Sequence, residues 1–267
     1  MIQDVSGRVF NQGFAICKGV LAPEQVAMYR AEAYRLYEAE QYAASQGTRM
    51  HDADYKMYTE YGDHIFNLAR KTRVFDSLYE HPLVTSVLES VMKNKFILTQ
   101  TEMRRPKRGA VAGSANVYHR DGRLLVDADL WVTAFWLLED ATLENGPTTV
   151  IPRSHKREIA SEAAEDEAVT LTAQAGDLIF MNANLLHKAS ASKNNSSRWV
   201  LIITYNQWFL KPAVDHTRYF KRVDVDAMTP MLQQLFGFTS FPPFDERKRM
   251  YTCRPWSEIA DEMNFPQ

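Results

Sequence analysis

Apolar positions change their spacing near Phe96. Between Pro23 and about Ala44 they recur at three- and four-residue steps (Val26, Tyr29, Ala33, Leu36, Tyr37), the period of one helix face, and Pro23 suits a first helical position. A second helical stretch is predicted from roughly Val74 to Lys95, with Leu78, Val84, Leu88 and Val91 on its core-facing stripe and Pro82 dividing it. Beyond Phe96 the pattern is that of strands: Phe96 to Thr101, Trp131 to Leu138, Thr148 to Ile151, Val169 to Thr172, Leu178 to Met181 and Trp199 to Tyr205. Glu144-Asn145-Gly146-Pro147, Ala175-Gly176-Asp177 and Lys193-Asn194-Asn195-Ser196-Ser197 supply turns between them. Helices followed by many short strands predict an α+β chain built around an antiparallel sandwich or barrel. No repeat, low-complexity segment or linker divides it. We therefore expect one domain over residues 1–267, with a helical part at about 21–95, a β core at about 96–210 and a C-terminal extension at 211–267.

Composition narrows the class of partner. Lys and Arg number 31 against 33 Asp and Glu, a formal charge of −2, which argues against a nucleic-acid binder that relies on bulk positive charge. The first residues lack the apolar run of a secretory signal, and the longest apolar stretch, Leu130 to Leu138, is about half a membrane span. The expectation is a soluble cytoplasmic protein with a small-molecule substrate and no nucleic-acid or membrane partner. Cys17 and Cys253 form no Cys-x-x-Cys motif; a disulfide between them stays open, but a disulfide scaffold does not.

Among seven histidines, those in the β-rich half carry the chemical signal. His119 and Asp121 flank one residue in Tyr118-His119-Arg120-Asp121-Gly122, and at the end of a strand such neighbours project to the same face. Chance alone supplies about 0.9 such pairs (7 × 33 / 267), so a surface turn is the plain alternative. His187 follows a predicted strand, turn and short strand that can set it opposite His119. Two imidazoles and one carboxylate form a facial triad that leaves positions open on Fe(II). Arg198, eleven residues beyond His187, opens the next strand, where a guanidinium suits a two-pronged salt bridge to a carboxylate.

These residues, together with Asn145-Gly146-Pro147-Thr148-Thr149-Val150-Ile151-Pro152-Arg153-Ser154-His155-Lys156, Gly176-Asp177 and an opening at Gly13-Phe14-Ala15-Ile16, resemble the phytanoyl-CoA dioxygenase family of Fe(II)- and 2-oxoglutarate-dependent oxygenases. The resemblance covers about residues 8 to 210. It implies a double-stranded β-helix (cupin-like jelly roll) with flanking α-helices. It also implies His119, Asp121 and His187 as iron ligands, Arg198 as partner of the distal carboxylate of 2-oxoglutarate, and O2 as co-reactant. Thr133 falls where family members often place a hydroxyl against 2-oxoglutarate, and Gln100 where they often carry a polar residue facing the site; a core role is the alternative for Thr133. Trp131 is a candidate wall of the substrate pocket, with a plain core role again the alternative. His155 reads as structural, its imidazole bonded to loop backbone. Arg104, Arg105, Lys107 and Arg108 read first as a solvated basic face and second as a recruiter of anionic substrate.

The implied reaction is oxidation of a substrate C–H bond coupled to conversion of 2-oxoglutarate to succinate and CO2. Halogenating relatives replace the carboxylate ligand with a small residue, so Asp121 favours hydroxylation; desaturation, epimerisation and ring formation stay open. A non-catalytic cupin-type binding protein needs only the sandwich, and a zinc hydrolase using the same three ligands has no use for Arg198. Pocket residues are expected within Met50 to Tyr61 and His216 to Phe244, and a small polar metabolite or natural-product intermediate fits this chain better than a long acyl chain.

Overall fold

The computed structural model describes residues 1–47, 62–109, 117–122, 128–157, 165–195, 198–240 and 254–262. Met50 to Tyr61, Phe241 to Phe244 and Cys253 lie outside the described residues.

The longest helix, α2 (Pro23–Ser45), follows the predicted stripe and buries Val26, Tyr29, Ala33 and Leu36. Before it lies α1 (Ile2–Gln12), which sequence periodicity does not reveal because only Val5, Ser6 and Val9 are buried. Pro82 does divide the second helical stretch: a single turn covers Asp76–Tyr79, and α3 (Pro82–Met92) starts at the proline, where a missing N–H costs nothing. The α3 face buries Val84, Val87, Leu88, Val91 and Met92.

Among the described residues, nine strands form two antiparallel sheets. The larger has the order β1 (Phe14–Cys17), β7 (Leu178–Asn182), β4 (Trp131–Leu137), β9 (Val200–Gln207), β3 (Phe96–Pro106) and β2 (Gly62–Phe66). The smaller has the order β6 (Val169–Leu171), β5 (Thr148–Val150) and β8 (His187–Ala189). This is the α+β sandwich with flanking helices expected from the sequence. β3 runs five residues further than its apolar start implies, because its polar half is paired on both edges, with β9 and with β2.

The two faces of the larger sheet differ. Its outer face packs Val132, Ala134, Trp136, Phe180, Leu201, Ile203 and Tyr205 with the buried residues of α2 and α3. Its inner face packs Leu137, Ile179, Met181, Val200 and Ile202 with Val150 and Leu171 of the smaller sheet. In an antiparallel pair, directly opposed residues share a face. The register Gln100↔Thr204↔Thr133, Glu102↔Ile202 and Arg104↔Val200 therefore puts Gln100, Glu102 and Arg104 on the inner face. A bulge between Leu98 and Gln100 sets that phase. Thr99 is the bulged residue, and it accepts from Ala213 N at its hydroxyl (2.8 Å) and from Val214 N at its carbonyl (3.1 Å).

Behind the sheet, His216 is 2% exposed, and neither ring nitrogen has a hydrogen-bond partner among the described residues. Burial, aided by the charge of Arg70, lowers its pKa from 6.5 to about 4. The unfolded chain thus takes up this proton near pH 6.5 and the folded chain only near pH 4, so stability falls as pH drops through that window. The difference is worth about 3 kcal/mol. We expect His216→Phe to flatten the urea-midpoint profile between pH 6.5 and 4; an unchanged slope would refute the assignment.

Candidate metal centre

Two backbone hydrogen bonds build the centre. His119 N donates to His187 O and His187 N to His119 O, each at 3.0 Å, so an isolated antiparallel bridge places the two histidines side by side against β8. Their ring centroids are 4.3 Å apart. Each ring is oriented by its own chain: Nδ1 of His119 donates to Val117 O (2.9 Å), and Nδ1 of His187 to Leu185 O (3.0 Å). A carbonyl only accepts, so these bonds put the ring proton on Nδ1 and leave both Nε2 lone pairs available. The Nε2 atoms lie 3.6 Å (His119) and 3.7 Å (His187) from Oδ1 of Asp121. The three donor atoms all fall within 4.8 Å of one another. Donors in a facial set, each about 2.1 Å from an ion, stand roughly 3 Å apart, so a small contraction would complete the site. The chemistry of this donor set fits a divalent iron. Burial, first of all, lowers the His187 pKa despite the opposing charge of Asp121, which favours the neutral form a ligand needs.

Arg120, between His119 and Asp121, carries a role that the sequence motif alone did not assign. It donates to the carbonyls of Ser154 (3.1 Å), Asn184 (2.7 Å) and Arg157 (3.0 Å), tying the ligand loop to the turns after β5 and β7. Its position between two candidate ligands was the available signal. Gly122 follows because nothing larger fits: a Cβ there would sit 2.3 Å from Asn184 Oδ1 and 3.1 Å from Trp131 Cε3. Trp131 thus packs its ring beside the residue that follows Asp121.

Arg198 lies just before β9 and lines the cavity between the sheets with Phe135, Leu137, Thr148, Leu171 and Val200. It is 9% exposed. Its Nε donates to Asn145 O at 3.3 Å, and no carboxylate among the described residues pairs with it. Burial and then the charge of Arg104 lower its pKa to about 10, still a cation at neutral pH. A buried cation without an anion is costly, and an anionic partner such as a carboxylate would relieve it.

The other candidates divide. Thr133 is fully buried on the inner face, its Oγ1 3.2 Å from Oγ1 of Thr204, and Gln100 lies across from Thr204 on β3. Thr204 itself was not singled out in the sequence, where it sits in an apolar run. His155 bonds backbone, as expected, but that of α1: its Nε2 donates to Phe10 O at 2.9 Å. The basic run is not one solvated face. Arg105 points outward, bonded to Asp63 (Nε–Oδ2 2.8 Å) with its guanidinium carbon 4.6 Å from the Tyr37 ring centre and 4.8 Å from that of Trp199, whereas Arg104 lies on the inner face.

Comparison with known proteins decides the family. Residues 10–200 match the phytanoyl-CoA dioxygenase (PhyH) family. The chain belongs to that family. The enzyme class and cofactor set expected from the sequence, an iron- and 2-oxoglutarate-dependent dioxygenase, are those of the family. The chain is 26% identical over 241 residues to the dioxygenase trt7 of Aspergillus terreus, covering 85% of this chain and 81% of that protein. It is 26% identical over 195 residues to the iron/alpha-ketoglutarate-dependent dioxygenase ausU of Aspergillus calidoustus, covering 68% and 64%. Among solved structures, the alpha-ketoglutarate-dependent epimerase SnoN from nogalamycin biosynthesis superposes with a TM-score of 0.60 at 20% identity, over 79% of this chain and 86% of SnoN. HygX from Streptomyces hygroscopicus, with nickel and 2-oxoglutarate bound, gives 0.59 at 16% identity, over 79% and 88%. These likenesses support the jelly-roll fold of this family member.

Gly122→Ala is expected to push Asp121 away from the two Nε2 atoms and to weaken metal binding about tenfold or more, the usual effect of disturbing the support of a ligand. Titration of the apoprotein with Co(II), followed by its visible bands, measures this. Wild-type affinity in the variant would show that the close packing does not position Asp121.

Proposed function

We propose that this family member hydroxylates, or otherwise oxidises, an unactivated C–H bond of a small metabolite or natural-product intermediate, with 2-oxoglutarate leaving as succinate and CO2. The observation that carries this reading is the buried cation of Arg198 between the two sheets, with no carboxylate paired to it among the described residues, in a fold whose smaller sheet carries His187 of the His119–Asp121–His187 cluster. In this reading the three clustered residues hold Fe(II), and Arg198 holds the far carboxylate of 2-oxoglutarate. Bound iron supplies O2 activation coupled to oxidative decarboxylation of the cosubstrate. The protein's own part is positioning. Gln100, Thr133 and its partner Thr204 offer polar contacts along the cosubstrate, Trp131 walls the substrate side, and Phe135, Leu137 and Val200 keep water from Arg198.

Relatives support the substrate class only in outline: SnoN is described as an epimerase and SnoK as a carbocyclase, both from nogalamycin biosynthesis. The presence of Asp121 favours hydroxylation over halide transfer. A zinc hydrolase built on the same ligands would leave Arg198 without a task, and an inert cupin would need neither. We read the chain as one oxygenase domain. A near-neutral composition with two cysteines supports a cytoplasmic location and a small-molecule partner.

Removing the guanidinium would strand a desolvated carboxylate, at a cost of about 3–5 kcal/mol. Arg198→Ala should therefore weaken 2-oxoglutarate binding roughly 10²–10³-fold at about 1.4 kcal/mol per decade. Arg198→Lys should recover only part, because an ammonium restores charge but not the fork. Iron binding should survive both changes. Anaerobic titration of 2-oxoglutarate into iron-loaded protein, followed by visible absorption, reads the effect, and unchanged affinity in the alanine variant would sink the proposal.

A further inference from the structure

A second guanidinium lies on the inner side of the larger sheet, and it is held in place by a buried acid. Glu102 is 2% exposed on the inner face of β3. Its Oε1 receives Nη2 of Arg104 at 2.7 Å, and its Oε2 lies 2.6 Å from Nε2 of His64 on the neighbouring strand β2. Burial alone would raise the Glu102 pKa, but Arg104 and His64 more than offset it and hold it at about 2. Nε of Arg104 lies 3.2 Å from the same His64 nitrogen. A guanidinium has five N–H donors. Two are directed at Glu102 and His64; the three that remain have no partner among the described residues. The Arg104 side chain is 45% exposed, so its remaining donors are accessible and not sealed in the packed core. Arg104 lies opposite Val200 of β9, which lines the Arg198 cavity, so the two guanidinium groups belong to neighbouring positions on the inner side of the sheet, and the charge of Arg104 disfavours the cationic form of Arg198. Two cations that repel each other are relieved by an anion, and a planar fork with spare donors matches a carboxylate.

We propose that Arg104, clamped by Glu102, is a second carboxylate-binding guanidinium of this site. The carboxylate comes from the 2-oxo acid cosubstrate or from the primary substrate that enters beside it. The inference rests on the oxygenase reading above and deepens it, since a contribution from the primary substrate would make that substrate an acid. Arg104 is a residue that β3 delivers to the inner face only through its alternation, while the adjacent Arg105 is turned outward onto Tyr37 and Trp199.

The test uses Ni(II)-loaded protein and calorimetry, so no turnover is needed. N-oxalylglycine, an inert mimic of 2-oxoglutarate, is titrated first; hexanoate, a plain carboxylate probe, is then titrated into protein saturated with it. In Arg104→Gln, at least a tenfold loss for N-oxalylglycine, with a shallower dependence on ionic strength, assigns the contact to the cosubstrate. Unchanged N-oxalylglycine affinity with at least a tenfold loss for hexanoate assigns it to the primary substrate. Arg104→Lys keeps the charge and should lie between wild type and Arg104→Gln, and it serves as the test should the glutamine variant not fold. Unchanged N-oxalylglycine affinity without any Arg104-dependent hexanoate binding overturns the proposal. If Arg198→Ala weakens N-oxalylglycine while Arg104→Gln affects neither probe, only this inference falls. If wild-type protein binds neither Ni(II) nor N-oxalylglycine, the oxygenase reading falls with it.

Discussion

The reciprocal backbone pair between His119 and His187 is the constraint on which the site depends. Each residue donates its N–H to the other's carbonyl, so the imidazoles are aligned by the chain before any ion arrives. Side-chain torsion is then limited by the Nδ1 bonds to Val117 and Leu185, and little freedom is left to lose on binding metal. The rest of the architecture serves that pairing. The smaller sheet holds β8 in register with β5, the three carbonyl bonds of Arg120 hold the His119 loop, and the larger sheet provides the opposing wall.

Electrostatically the interior is uneven. His119, His187 and the exposed Asp121 gather in one cluster, while Arg198 lies between the sheets in an apolar surround with no carboxylate paired to it among the described residues. Buried cations are ordinarily paired. The imbalance makes sense when the missing charge arrives with a ligand, which is the ground for the oxygenase reading proposed above.

Much of this was legible in the sequence, and the reason is local. Helix periodicity at Val26, Tyr29, Ala33 and Leu36 and the break at Pro82 are short-range signals, and the structure follows them. The clustering of His119, Asp121 and His187 and the place of Arg198 just before β9 were legible because residue spacing and strand placement reinforce each other. What escaped has non-local causes. Helix α1 buries too few apolar residues to show a stripe, and β2 is recognisable only by its pairing with the polar half of β3. Arg104 looked like its neighbours in a basic run, because the difference between Arg104 and Arg105 is one of face.

That difference originates upstream, in the single extra residue at Thr99. Up to Leu98 the even-numbered side chains of β3 join the helix-facing core; after the bulge, the even-numbered Gln100, Glu102 and Arg104 turn to the interior. The segment at Ala213 and Val214, which binds both the hydroxyl and the carbonyl of Thr99, thereby acts as a ratchet on the strand. Were the bulge ironed out at constant chain length, Thr99 would take the place opposite Thr204, presenting Thr101, Met103 and Arg105 to the interior and burying an acid and a cation among the helices. The choice between a bulged and a regular pairing at this one residue therefore decides which alternate set of β3 side chains lines the interior, without a substitution in the lining itself.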